Sequence, residues 1–542
     1  MPFEFSYGAP TWRPVIMGWR GAVASNQPLA TQAGAEILRA GGNAADAAVA
    51  VASTLGVVEP QMSGVGGDGF LLFYDARARR ATVVNGTGPT PGATTPERYA
   101  GGFPANHLST SVPGSVDSWL TLLQRFGTRP AREVFAPAIY HAREGYGCTR
   151  RLRDFIVREQ HRLRLDERAA ATFLPGGSVP RVGGVIRQPD LARTLEAIAD
   201  GGRDVLYEGE IGRAVADFCR QEGGILAFED LSQYHAEVQE PIRTTYRGYE
   251  ILQSPPNSMG WTLLEELNIV EQFDLSPMGA LSADALHVLV EAKKLAFADR
   301  ERYSGDPSYT EAPLERLLDK RYAAELAARI DARRATPRFT REAAAVGGGE
   351  TTYFCVVDGD GNAVSGIQSI HDAFGSARVA GNTGILLNDR MRMWHLEPGH
   401  PNTLLPGKRV RHTMNTPLAI QDGQVRAVWG TPGGDAQVQI NLQTITALVD
   451  FGLDPQQAVE APRWCSFEPG QESNWPHTST ERLEVEDRLP LAVREDLAGR
   501  GHNVQVVGPL EGPCSAEVIV RLPDGLLAAA SDPRRDGYAL AW

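Results

Sequence analysis

Apolar residues recur at two different spacings along the chain, and the spacing changes where the structure is expected to change. Between Asn26 and Pro60, Leu29, Ala33, Ile37 and Leu38 mark one face of a helix. Gly41-Gly42-Asn43 breaks it, and Ala44–Leu55 forms a second, alanine-rich helix, of the kind that packs closely against a sheet. Phe70–Tyr74 and Ala81–Asn85 read as strands. The middle of the chain reads as mainly helical, most clearly over Leu281–Tyr303. There Ser282 can cap the helix, and Leu286, Leu289, Val290 and Phe297 lie near one face. From Asp331 to Gly349 the periodicity stops, and the Arg-, Ala- and Gly-rich composition predicts an exposed linker. Strands then return. Tyr353, Phe354, Val356 and Val357 are β-formers, Asp358-Gly359-Asp360-Gly361-Asn362 is dense in turn residues, and Ala363–Ile370 suits a returning strand. Val425–Trp429 and Ala516–Leu522 extend the strand content, while Ile440–Phe451 and Leu489–Gly499 look helical. Strands and helices on both sides of the linker predict α/β layers built from both halves.

Composition narrows the function. The 542 residues allow about three or four domains, or one large composite unit. A formal net charge of −13 argues against nucleic acid and anionic membranes as partners. No apolar run reaches the roughly 20 residues of a membrane helix; Ala44–Val58 comes nearest and contains Asp46. The N-terminus lacks a basic start followed by an apolar block, so the expected location is the cytoplasm. Cys148, Cys219, Cys355, Cys465 and Cys514 are odd in number and widely spaced, as reduced thiols would be. The eleven histidines show no HExxH-like spacing, and no metal or other cofactor is expected.

Four segments invite chemistry. Gly64–Gly69 matches GxGxxG, but a helix precedes it and a strand follows, the reverse of a dinucleotide site. A loop that brings backbone close to a strand or a pocket fits better. Asp358, Asp360 and Asn362 imitate the start of a calcium loop, yet Ala363 and Ser369 stand where Gly and Glu would be needed, so the turn is kept. Thr431-Pro432-Gly433-Gly434-Asp435 follows a strand. It reads either as a strand-ending turn or as a loop whose backbone N–H groups face a developing oxyanion. Finally, Gly347–Gly349 runs into Glu350-Thr351-Thr352. A threonine hydroxyl is a poor nucleophile alone. Breaking the bond before Thr351 would free an α-amine, with a reference pKa of about 7.7–8.0, as its general base. Cys355, among apolar strand neighbours, reads as inert core.

Several stretches together resemble the γ-glutamyltransferase family of N-terminal-nucleophile hydrolases. They are GAVASNQPLATQAGAEILRAGGNAADAAVAVASTLGVVEP at 21–60, GVGGDGF at 64–70, TSVPGSVDSW at 110–119, TTYFCVVDGDGNAVS at 351–365, GNTGILLND at 381–389, TPGGD at 431–435 and QQAVEAPRW at 456–464. The resemblance runs in order over nearly the whole chain. It implies a four-layer αββα sandwich made from two fragments of one precursor, a large one (1–350, ending in the 331–350 linker) and a small one (351–542). It further implies cleavage at Glu350–Thr351, Thr351 as nucleophile, Gly433 and Gly434 at the oxyanion hole, and Ser369 as a hydroxyl that hydrogen-bonds to the nucleophile.

The departures from the family pattern concern the substrate. The stretch Val84-Asn85-Gly86-Thr87-Gly88 lacks the arginine that holds a glutamyl carboxylate, and Met393 replaces the acid that holds its amine. Arg390, His371, and the pair His412 and Thr413 stand where the family has glutamine, asparagine and two serines. The pattern is similar to the oxamate amidohydrolase-like branch and implies a small, anionic amide, with Arg390 and Arg411 as cationic groups. Two alternatives stay open: a true γ-glutamyltransferase or glutathione hydrolase with a rearranged glutamate pocket, and an uncleaved binding protein with the family fold. The sequence leaves room for a homo-oligomer.

Overall fold

A computed structural model describes residues 10–336, 350–468 and 472–542. Its centre is a pair of seven-stranded antiparallel sheets. One runs, edge to edge, through Tyr538–Ala541, Gly21–Ser25, Glu350–Asp358, Ala363–His371, Asp68–Asp75, Arg80–Asn85 and Glu237–Gln239. The other runs through Ile16–Gly18, Leu527–Ser531, Glu517–Arg521, Gln424–Gly430, Leu418–Gln421, Tyr249–Gln253 and Ile242–Tyr246. Each sheet takes strands from both sides of Glu350, so neither half of the chain could build its sheets alone.

Strand alternation sorts the core into layers. Tyr353, Cys355 and Val357 point between the sheets, where they meet Leu252, Val428 and Ile519 of the opposite sheet. Phe354 and Val356 point outward, into a layer with Val49 and Val51 of the helix Ala44–Val58. All fifteen residues of that helix are buried, which its small side chains allow. On the far side Trp429, Val518 and Val520 pack against Leu263, Leu289 and Ile440, from the helices Gly260–Val270, Ala283–Tyr303 and Ala436–Val449. The result is helix, sheet, sheet, helix. The close approach of the two sheets depends on Gly430, where a Cβ would overlap the Tyr353 ring.

Most predicted elements form near their expected bounds. Glu350–Asp358 and Ala363–His371 make the hairpin. Its turn is closed by Asp358, whose carboxylate accepts from the backbone N of Asp360 and Asn362 and also caps Ala44 N at 2.9 Å. Ser282 caps Ala283–Tyr303 through Ala285 N. The middle is less helical than expected, because Glu237–Gln239, Ile242–Tyr246 and Tyr249–Gln253 are strands. They are short, polar and close to sheet edges, so they carry little apolar alternation. The helix expected from Ile440 starts at Ala436, its first turns hidden in sequence by Gln437, Gln439 and Asn441, which are buried. Of the expected linker, 331–336 is anchored rather than exposed throughout. Asp331 O pairs with His287 Nε2, Ala335 N donates to Arg500 O, and the Thr336 hydroxyl donates to Glu291. Residues 337–349 lie outside the described residues. All five cysteines are unpaired and buried. No helix among the described residues is long and apolar enough to cross a membrane.

Candidate active site

Thr351 lies near the start of the central strand Glu350–Asp358, where the ladder slips. Glu350 pairs with His371 and Thr352 with Gln368, with an irregularity between them. Thr351 is 3 % exposed, and its alternation with Tyr353 turns its side chain toward the space between the sheets. The neighbouring strand places Ser369 beside it. The Ser369 hydroxyl donates to the Glu350 carbonyl oxygen at 2.6 Å and accepts from His371 N–H at 2.8 Å. The carbonyl of the Glu350–Thr351 bond is therefore polarised by a hydroxyl that is itself held in place.

The opposite sheet supplies the glycines. Thr431–Asp435 leaves the end of the strand Gln424–Gly430, with Gly433 at φ 118° and Gly434 at φ 57°, conformations that favour glycine. Their carbonyls accept from Ala436 N and Gln437 N at the start of the next helix. Their N–H groups make no hydrogen bond among the described residues. Asp435 anchors the loop from behind, at 2.5 Å from Arg300 and 2.6 Å from both Ser473 N and Ser473 Oγ.

The GxGxxG segment packs backbone against backbone beside Ser369. Cβ atoms on Gly66 and Gly67 would collide with the backbone oxygens of Leu386 and Ser369, so the glycines let three segments approach. Asp68, the acidic member of the loop, sits opposite Ser369 in the ladder.

Asp68 changes the reading of Arg390. Both are buried, and the guanidinium grips the carboxylate at two points, Nε–Oδ2 3.0 Å and Nη2–Oδ1 2.6 Å. Its remaining Nη1 points to Met393 Sδ at 3.3 Å. Arg390 is thus a neutralised partner of Asp68, where the sequence suggested a cation available to a substrate. Burial pushes the Asp68 carboxyl up, opposed by Arg390. His412 Nε2 approaches the same carboxylate at 3.4 Å. Burial, reinforced by the Arg390 charge, holds His412 well below the usual imidazole range and hence neutral at pH 7.

The other predicted residues are buried, each with its own partners. His371 lies between Asp389 (3.1 Å) and Asn474 (2.9 Å), and burial lowers its pKa. Met393 belongs to an apolar cluster with Tyr99, Phe103, Trp394 and Leu404. Asn85 donates to Asn257 Oδ1 and accepts from the Thr87 hydroxyl at 2.6 Å. The Thr413 hydroxyl accepts from Gln437 Nε2 at 3.5 Å. Arg411 is fully buried, 3.0 Å from Glu301, with Nε and Nη1 unpartnered. Cys355 is excluded as a rival nucleophile, since complete burial pushes its thiol well above the usual range.

Sequence reasoning passed over Asp68, Glu59 and Arg535. The acid in an otherwise glycine-rich GVGGDGF was the one signal that could have flagged Asp68. Nothing local marks the other two, which reach Glu350 and Thr351 only through the fold.

Comparison with known proteins gives the family. The gamma-glutamyltranspeptidase family model matches residues 30–542. The chain belongs to that family. Over 535 residues it is 38% identical to the glutathione hydrolase-like YwrD proenzyme of Bacillus subtilis (strain 168), covering 97% of this chain and 99% of the relative. It is also 38% identical to the acylase ACY 1 proenzyme of Pseudomonas sp. (strain SE83), over 97% and 94% of the two chains. The crystal structure of cephalosporin acylase from Bacillus halodurans superposes with a TM-score of 0.89 at 37% identity, covering 99% of this chain and 98% of that one. As a gamma-glutamyltranspeptidase family member, the chain is an N-terminal-nucleophile hydrolase acting on amide C–N bonds.

Proposed function

We propose that the chain is a proenzyme that cuts itself at Glu350–Thr351 and then hydrolyses a small, anionic amide through a threonyl ester. The observation that carries the first step is the 2.6 Å bond from the Ser369 hydroxyl to the Glu350 carbonyl. Thr351 Oγ attacks that carbonyl carbon, the C–N bond breaks, and the Oγ proton ends on the departing Thr351 nitrogen. Water then cleaves the ester and leaves the Glu350 carboxylate and a free Thr351 amine. In turnover the amine takes the Oγ proton as Oγ attacks the amide, and passes it to the leaving amine. The N–H groups of Gly433 and Gly434 face the developing oxyanion. Water releases the acyl group. The fragments 1–350 and 351–542 stay together because both sheets need both of them.

The substrate proposal is subtractive. Met393 sits in an apolar cluster, and a substrate ammonium buried there would lack a counter-ion, which costs several kcal/mol. Asn85 and Thr87 hold each other and bring no positive charge to the stretch that would read a glutamyl carboxylate. The anionic preference now rests on Arg411, which pairs with Glu301 through Nη2 but keeps two unpartnered donors, Nε and Nη1, and no longer on Arg390, of which Asp68 takes both Nε and Nη2. An oxamate-like amide belongs to this class. The relatives named as glutathione hydrolases favour a second reading, a γ-glutamyl hydrolase or transpeptidase. Purified, cleaved protein is expected to turn over γ-glutamyl-p-nitroanilide, with or without glycylglycine, about 10²–10⁴-fold less well in kcat/KM than a small anionic amide. A preference for the γ-glutamyl compound would replace this substrate class with the second reading.

Ser369→Ala is expected to slow fragment formation by about 10²–10³-fold, the usual effect of removing one oxyanion donor. Ser369→Thr, which keeps the hydroxyl, should retain most of the rate. Densitometry of the uncut band over time measures both.

A further inference from the structure

A second set of groups holds the residues on either side of the Glu350–Thr351 bond. Arg535, 9 % exposed, donates Nη1 to the Thr351 carbonyl and Nη2 to the Glu350 carboxylate, each at 3.3 Å. One guanidinium therefore spans the two residues to be separated. Arg158 donates to the other Glu350 oxygen at 3.3 Å, but it is half exposed and reaches only one side of the bond. The Nε of Arg535 is buried and unpartnered. Arg535 Nη1 also reaches Met62 Sδ at 3.6 Å, and Met62 N donates to the backbone oxygen of Glu59, which ends the helix Ala44–Val58 and is buried with Oε2 unpartnered. A buried arginine with a free N–H and a buried carboxyl with a free oxygen thus lie within electrostatic reach of each other, with no ion pair between them in the uncut chain.

We infer that Arg535 is a positioning residue for self-cleavage, which grips both sides of the Glu350–Thr351 bond in the uncut chain and pairs with Glu59 once Glu350 has left. The inference rests on the self-processing reading above. While Glu350 is attached, it supplies a negative partner on the strand itself, and Glu59 is left as a desolvated carboxyl. Burial pushes Glu59 up to about 7, against the pull of a Thr352 hydrogen bond and the Arg535 charge and with a further push from Asp536 and Glu350. Glu59 in turn pushes up Glu517, on the opposite sheet, whose carboxyl burial already holds well above the usual range. Cleavage turns Glu350 into a chain end and lets it swing away with the large fragment's C-terminus. Arg535 is then left with one carbonyl and one carboxyl, and the carboxyl ionises to meet it.

The test uses the full chain. Fragment formation by wild type, Arg535→Ala, Arg535→Lys and Glu350→Gln is followed on denaturing gels. Arg535→Ala is expected to slow cleavage at least about tenfold, with Arg535→Lys intermediate. Glu350→Gln should slow it less, and should add nothing when combined with Arg535→Ala. Guanidinium at tens of millimolar should speed Arg535→Ala and leave wild type unchanged, a response that misfolding does not produce. Arg535→Ala cutting within twofold of wild type, or slow cutting that neither lysine nor guanidinium improves, overturns the positioning role. A wild type that never cuts would instead defeat the self-processing reading itself.

The transfer to Glu59 has its own readout at pH 8. A carboxyl whose folded pKa is raised loses stability as pH rises through that value. In the uncut Thr351→Ala protein, Glu59→Gln should therefore leave Tm unchanged or raise it. In the cleaved protein, where Glu59 holds Arg535, the same substitution should lower Tm by about 2 °C or more. Equal shifts in the two forms would overturn the transfer.

Discussion

Replacing Thr351 by alanine is expected to leave a single uncut chain and to reduce amide turnover by at least about 10⁴-fold. In the proposed mechanism one hydroxyl performs both reactions. In the uncut chain it is the atom next to a carbonyl already polarised by Ser369, and in the mature enzyme it is the atom that forms the acyl ester. Losing it removes attack at both stages, and no neighbour can substitute. Cys355 is buried with its thiol far from ionisation, and Thr352, the next residue along the strand, faces the other side of the sheet. Thr351→Ser should retain part of both activities, because the serine hydroxyl can reach the same carbonyl without the rotamer restriction of a β-branched side chain. A Thr351→Ala protein that still hydrolyses amide would place the nucleophile elsewhere.

Arg390→Ala should be the most destabilising of the site substitutions, at about 3–5 kcal/mol. The reason is Asp68. With Arg390 gone, a fully buried carboxyl loses both guanidinium contacts, and His412, 3.4 Å away, is held neutral by burial. Asp68 would then have to take a proton or admit water. Removing both charges together, as in Asp68→Asn with Arg390→Met, should recover most of the loss, because no unpaired charge is then left behind. Denaturant midpoints measured on the uncut Thr351→Ala background keep both comparisons on one chain. If Arg390 were a free substrate-binding cation, Arg390→Ala would be nearly neutral for stability and the double variant would show no recovery.

These two residues also show how far the sequence could be read. Thr351 and its hairpin were legible because their signals are local: a glycine run, two threonines, alternating β-formers and a turn. The glycine loop Thr431–Asp435 at the end of a strand was legible for the same reason. The layers followed from strands and helices lying on both sides of one linker, although the strands at 237–253 were missed because short, polar strands near a sheet edge carry little apolar alternation. Arg390 was seen but misassigned. Its charge was visible in the sequence, whereas the charge that cancels it lies 322 residues earlier and meets it only through pairing of the strands Asp68–Asp75 and Ala363–His371. Arg535 and Glu59 illustrate the same limit. They lie near the two ends of the chain, and the fold alone brings them to Glu350 and Thr351.

The most direct test of the account is the intact mass of the purified protein after prolonged incubation, with sequencing of any new N-terminus. Self-cleavage predicts that the 58.7 kDa chain gives two polypeptides of about 38 and 21 kDa, in proportion to their 350 and 192 residues, the smaller beginning Thr-Thr-Tyr-Phe. A chain that stays whole, or is cut at any other bond, would contradict it.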